Sequence, residues 1–154
     1  MIEASPALVT GSPSVNLLIE PTGFVTVLST HEQIFCPAYR FIGASFPQSS
    51  VPHAALAQAA EVVGLACFRS GIIGHIGVDF LALREQGALR LWAVDLNLQL
   101  TATQASFQMF DFVCKGTFDE QVGASCVRVC MCVYVCMYVC VCVCVTTTVL
   151  VKPT

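Results

Sequence analysis

The sequence predicts an α+β fold, an antiparallel sheet with two helices. Three observations point to it. Short runs of alternating apolar residues recur between turns that carry Pro or Gly, the pattern of hairpin strands. From about residue 51 to residue 71 the apolar spacing lengthens to that of a helix. A second helical stretch opens at Thr101 or Thr103.

In chain order, Ser14–Glu20 (SVNLLIE) and Phe24–Ser29 (FVTVLS) are apolar runs separated by Pro21-Thr22-Gly23. Pro pre-sets a turn dihedral and Gly accepts a positive φ, so the two runs read as a β-hairpin. His31–Arg40 continues as strand or loop, and Gly43–Ser50 (GASFPQSS) reads as a polar connection. Ser50 is placed to cap a helix beginning at Val51, with Pro52 tolerated in the first turn. Val51, Ala55, Leu56, Ala59, Val62, Val63, Ala66 and Cys67 form its apolar stripe, and Gly71 stands where a C-terminal cap belongs.

Ile72–Arg84 and Leu89–Leu98 then read as a second hairpin around Gly87. Symmetry about Gly87 sets Ile76 opposite Leu98, Val78 opposite Leu96, Phe80 opposite Val94 and Ala82 opposite Trp92. Every pair on that face is apolar, as a buried sheet face requires, and a slip of one residue would destroy the match. Trp92 is expected in the core by the same reasoning. The last helix runs through Phe107, Phe110 and Val113 and ends near Gly116.

The end of the chain has a different character. Cys126–Val145 reads CVRVCMCVYVCMYVCVCVCV, which is what a TG-dinucleotide repeat encodes, TGT for Cys and GTG for Val. Its exceptions (Arg128, Met131, Tyr134, Met137, Tyr138) are each one base from those codons. Gln121-Val122-Gly123 can be encoded as a splice donor, so residues 122–154 read as a low-complexity Cys/Val tail from intron read-through. Residues 1–121 are then the functional unit. Residues 129–145 are uncharged and long enough to raise the question of a membrane span, but their period is two. That pattern belongs to a strand with a tendency to aggregate, and membrane insertion is not expected.

Composition narrows the function classes. The formal net charge is −3 with no basic cluster, which argues against nucleic acid as a partner. Seven of the ten cysteines fall in the tail, in alternation rather than in the paired knuckles of a zinc site. Cys36, Cys67 and Cys114 are widely spaced, as free thiols in a reducing compartment would be. The N-terminus carries Glu3 and no apolar signal segment, so a cytoplasmic location is expected. No GxSxG elbow or GxxxxGK loop is present, and His31, His53 and His75 lack a shared metal-ligand spacing. His75 and Glu20 lie at strand ends that could approach a site, although exposed polar positions explain both.

The register of the second hairpin has a chemical consequence on its other face. Asp79 falls opposite Asp95, Asn97 lies two residues along, and Gly77 faces Asn97 and leaves space there. Directly opposed carboxylates repel unless a cation sits between them. Two carboxylates and an amide oxygen form a hard donor set suited to Mg²⁺ or Mn²⁺, with phosphate oxygens completing the shell. The alternative is a solvated sheet face, and spacing alone does not separate the two.

VDLNLQ, preceded by a strand carrying GVDF, resembles the C-terminal lobe of ATP-grasp proteins. Across residues 1–120 the succession NLLIEPTG, EQI, FPQSSV, GIIGHIGVDF and LWAVDLNL resembles the ATP-grasp-like region of the IQ-motif-containing protein H family. The resemblance implies Asp79, Asp95 and Asn97 as ligands of Mg²⁺ beneath ATP. It implies a partial nucleotide-binding lobe, with carboxylate–amine ligase chemistry in the parent superfamily but none expected from this chain alone. The superfamily often carries an Arg where Gln99 stands, and its other lobe supplies lysines; here the lysines are Lys115 and Lys152. That missing N-terminal lobe is an expected partner. The family resemblance also implies a non-enzymatic alternative, a scaffold domain in a calmodulin-linked, sperm-associated protein. The IQ segment that would bind calmodulin (IQxxxRGxxxR) does not occur in this sequence.

Overall fold

The structure, a computed structural model, describes residues 8–36, 40–114, 117–119 and 124–126. Its strands are β1 (Val9–Gly11), β2 (Pro13–Ile19), β3 (Val25–Cys36), β4 (Arg40–Ser45), β5 (Gly74–Glu85) and β6 (Ala88–Asn97). Helix α1 (His53–Arg69) precedes β5 and helix α2 (Ala102–Cys114) follows β6. A short pair, β7 (Thr117–Asp119) and β8 (Ala124–Cys126), stands apart from the main sheet. All pairings are antiparallel. One edge of β5 carries β6; the other carries β1 and then β2, with β3 and β4 beyond. The expected helix end near Gly116 and the tail beyond Cys126 lie outside the described residues.

The first hairpin forms as its turn residues dictate. Gly23 N–H donates to Glu20 O and Glu20 N–H to Phe24 O, both at 2.9 Å, and Gly23 has φ +87°. A residue with a Cβ would be strained there, and the Phe68 ring at the end of α1 fills the space a Cβ would need. The strand continues through His31 to Cys36. Gly43–Ser45, expected as connection, pairs instead with Glu32–Ile34 as the end of β4.

Helix α1 begins two residues later than expected and without a side-chain cap. Pro52 occupies the cap position, and its carbonyl accepts from Leu56 N–H at 3.2 Å. Ser50 is occupied elsewhere, its hydroxyl donating to Glu32 Oε2 at 2.6 Å. The C-terminus matches expectation. Ile72 N–H reaches Cys67 O at 3.0 Å and Gly71 N–H reaches Phe68 O at 2.9 Å, with Gly71 at φ +82°, a Schellman motif.

One face of the sheet packs on α1. Val15, Leu17 and Ile19 of β2, Ile76, Val78, Phe80 and Ala82 of β5, and Leu56, Ala60 and Cys67 of α1 make this core. The buried stripe of α1 is Leu56, Ala60, Gly64 and Cys67. Val62, expected in the stripe, is 64% exposed. Gly64 was missed because its role is an absence of atoms. A Cβ there would come within 2.7 Å of Val25 Cγ1, so the helix can approach the sheet only at a glycine.

The β5–β6 hairpin departs from symmetry about Gly87. Its loop is the two-residue Gln86-Gly87 with both φ positive (51° and 83°), and Glu85 pairs with Ala88. From the turn inward, Ala82 pairs with Leu91, Leu81 with Trp92 and Phe80 with Ala93. Val94 is then an extra residue on β6, and the ladder resumes at Asp79–Asp95, Val78–Leu96 and Gly77–Asn97. The expected pairings of Phe80 with Val94 and Ala82 with Trp92 are therefore wrong. Trp92 turns to the face opposite α1 and is 38% exposed rather than in the core. As an edge strand, β6 is also far less buried than an all-apolar face suggested: Val94 is 46% and Leu96 39% exposed.

Candidate metal site on the polar face of the sheet

The face away from α1 carries the residues that alternate with the core positions. On β2 these are Ser14 and Asn16; on β3, Ser29, His31 and Gln33; on β5, His75, Gly77 and Asp79. Helix α2 starts on this face. Thr101 Oγ1 accepts from Gln104 N–H at 3.1 Å, the N-cap expected of Thr101, and donates to Asn16 Oδ1 at 2.7 Å. Asn16 Nδ2 donates in turn to Ser29 Oγ at 3.0 Å. Asn16, Ser29 and Gln104 are fully buried, so this network fixes where the helix begins.

Asp79, Asp95 and Asn97 come together as expected. Asp79 and Asp95 are direct cross-strand partners, and Asn97 lies opposite Gly77 on the same face. The bulge at Val94 makes this possible. Pairing counted from the turn without it would set Asp79 opposite Val94 and turn Asp95 and Asn97 toward α1. Inserting one residue reverses the alternation of β6, a common use of bulges beside functional sites.

Asp79 is half-buried and Asp95 exposed. Ser14 Oγ donates to Asp79 Oδ1 at 2.6 Å, and the Gln33 side chain also hydrogen-bonds this carboxyl. Asn97 Nδ2 donates to Asp95 Oδ2 at 3.2 Å. Burial pushes the Asp79 carboxyl above the ordinary carboxylate range; the Ser14 and Gln33 hydrogen bonds pull it back, and the Asp95 charge adds to the rise. Among the described residues the ion pair recorded is Arg90–Glu85, so no basic side chain neutralises the two aspartates.

Gly77 does not leave open space. A Cβ there would meet Thr101 Cγ2 at 2.6 Å, so the glycine admits the start of α2 rather than a ligand. His75 is likewise engaged with the helix, its Nδ1 lying 2.7 Å from Gln104 Nε2. Glu20 stays within its own turn, accepting from Thr22 Oγ1 at 3.3 Å. A hollow of about 200 Å³ bounded by Phe24–Val27, His53 and Ala57 is on the α1 side, away from the aspartates. Among the described residues no helix is long and apolar enough to cross a membrane.

Sequence reasoning missed Ser14, Gln33 and Asn16 as parts of this surface. A signal existed for Ser14 and Asn16, polar positions alternating with Val15, Leu17 and Ile19 in a strand whose both faces are covered. Gln33 had none, because its role depends on strand order.

The donor set fits a hard divalent cation that keeps water or phosphate in its shell: two uncompensated carboxylates and an amide, all oxygen ligands. A closed protein cage is not what it resembles, since among the described residues no group of three or more His, Cys, Asp and Glu side chains converges.

An antiparallel sheet with two helices and this strand order defines an ATP-grasp-like lobe. The N5-carboxyaminoimidazole synthetase of Staphylococcus aureus, solved in complex with ADP, matches with a TM-score of 0.52 at 11% identity, over 75% of this chain and 29% of that one. The ADP complex of purK, N5-carboxyaminoimidazole ribonucleotide synthetase, matches with a TM-score of 0.50 at 14% identity, over 63% of this chain and 24% of that one. At these identities the likeness shows the fold. The chain belongs to the IQCH-like ATP-grasp family, whose pattern it matches over residues 1–121. IQ motif-containing protein H of Danio rerio is 32% identical over 109 residues, 69% of this chain. The matched stretch spans 10% of that relative's length.

Proposed function

We infer that this lobe holds Mg²⁺ through Asp79, Asp95 and Asn97 and, through the metal, the phosphates of ATP. The observation that carries the reading is the direct pairing of two like-charged carboxylates, neither of them ion-paired to a basic side chain among the described residues. Such a pair destabilises the sheet unless a cation occupies it. The ADP complexes of the structural neighbours support a nucleotide as the companion ligand. The bound metal would neutralise phosphate charge; the chain's own residues hold and orient it. We assign the lobe no catalysis in isolation, because lysines and an adenine-binding strand are contributions of the other ATP-grasp lobe. The family match over residues 1–121 supports placing the functional unit before the Cys/Val tail, and the free thiols of Cys36 and Cys67 support a cytoplasmic setting.

Mn²⁺ titration followed by electron paramagnetic resonance, with and without ATP, tests this. Binding in the intact chain and its loss in Asp95→Ala are expected; absence of binding in both buffers refutes the reading. A second reading, an interaction or scaffold domain in a calmodulin-linked protein, is favoured by the exposed apolar side chains of Trp92, Val94 and Leu96. It expects a sheet whose thermal midpoint ignores Mg²⁺ and ATP.

A further inference from the structure

We propose that Ser14 is the positioning residue of the metal site, holding Asp79 so that it meets the cation through a single oxygen. This rests on the Mg²⁺ reading above. The argument begins with the row of cross-strand neighbours Asp95, Asp79, Ser14 on β6, β5 and β2. A carboxylate facing another carboxylate swings away unless something holds it. Ser14 lies on the side of Asp79 opposite Asp95 and donates its hydroxyl to Oδ1 at 2.6 Å. The serine is 3% exposed, so neither solvent nor a mobile side chain replaces that donor. Gln33, next along the same face from β3, adds a second hydrogen bond.

The consequence is selectivity. With Oδ1 held by Ser14 on the side away from Asp95, Asp79 would meet a cation between the two aspartates through its other oxygen, as a one-oxygen ligand. Mg²⁺ accepts such ligands in a tight octahedron and keeps its waters, whereas Ca²⁺ gains from carboxylates that chelate with both oxygens. Ser14 therefore favours the smaller ion by restricting Asp79. Removing it weakens Mg²⁺ more than Ca²⁺, because the freed carboxylate can chelate.

The test uses the intact chain, with Mn²⁺ binding read by electron paramagnetic resonance and Mg²⁺ and Ca²⁺ as competitors. Ser14→Ala should lose about tenfold in Mg²⁺ affinity, in the range of lost hydrogen bonds to metal ligands. The Mg²⁺-over-Ca²⁺ ratio should narrow with it, and Ser14→Thr should restore both. A merely structural serine would not move that ratio. An unchanged Mg²⁺ affinity and ratio in Ser14→Ala, with Asp95→Ala abolishing binding, overturns the role of Ser14 and leaves the metal site standing. No Mn²⁺ binding by the unaltered chain overturns both. If Ser14→Ala fails to fold, Ser14→Cys, whose thiol is only a weak donor, carries the same comparison, and an unchanged ratio there overturns the proposal.

Discussion

His31 should make the stability of this domain fall steeply with acidification. Its ring is 2% exposed, lies 5.1 Å from the ring of Phe46, and leaves Nδ1 buried without a hydrogen-bond partner. Burial lowers its pKa from 6.5 to about 4, because it takes away the water that would solvate an imidazolium. A folded pKa below the unfolded one means the unfolded chain takes up the proton first. The neutral-state advantage is therefore complete above the unfolded value of 6.5 and is lost as pH falls toward the folded value of about 4. The full loss is about 3 kcal/mol, taking ~1.4 kcal/mol per pKa unit. Between about pH 7 and about pH 5 the loss is roughly 2 kcal/mol, a large share of a small domain's stability. Urea unfolding of the parent and of His31→Phe across that range isolates the effect, because the phenyl ring cannot take up a proton. The parent should lose roughly 2 kcal/mol more than the variant over the interval. Parallel curves would show that His31 is not the buried neutral group the structure presents.

Three further outcomes are expected. Asn16→Leu should cost roughly 2–3 kcal/mol, since the Ser29 and Thr101 hydroxyls lose a buried partner, and amide exchange should quicken in the first turn of α2 more than in α1. Gly64→Ala should destabilise despite improving helix propensity: the gain of about 1 kcal/mol is outweighed by overpacking of about 1–3 kcal/mol against the stiff Val25, and Val25→Ala should relieve it in a double-mutant cycle. Asp79→Asn in EDTA near neutral pH should leave the thermal midpoint unchanged or raise it. The raised pKa of Asp79 means its ionised form costs the fold stability, a cost present above the folded pKa and gone below the unfolded value of 3.8. Any gain should accordingly shrink on acidification, and marked destabilisation at neutral pH would contradict the strain assigned to the pair.

What the sequence made legible follows the physics of each element. Pro21-Thr22-Gly23 and the Gly71 cap were readable because φ preference is a property of the residue itself. The later start of α1 was not, since it turns on Glu32, eighteen positions away in sequence, drawing Ser50 out of the capping role. The α1 stripe was read from side-chain size, which finds Leu56 and Cys67 but passes over Gly64, where the requirement is that nothing protrude. The apolar residues of β6 were read as core because alternation identifies a face but not whether another layer covers it. Asn16 showed as a polar position alternating with Val15 and Leu17, but its partner Thr101 lies eighty-five positions away and the alternation does not identify it.

The pairing of Asp79 with Asp95 was read correctly through two departures from the assumed hairpin that cancel. Symmetry about Gly87 places Asp79 opposite Asp95; the actual two-residue turn shifts the ladder by one position, and Val94 shifts it back. Neither departure was visible in the sequence, so the mispaired stretch between turn and bulge and the correctly paired carboxylates have the same origin. The turn favours the backbone twist of a two-residue loop, while the bulge at Val94 returns Asp95 and Asn97 to the face of Asp79. A ladder continuous with that turn would have set both polar side chains on the α1 side of the sheet, beside Val78 and Phe80 and away from Asp79. The extra residue thus reconciles local turn preference with sheet polarity, and it does so one position from the aspartate that a metal would need.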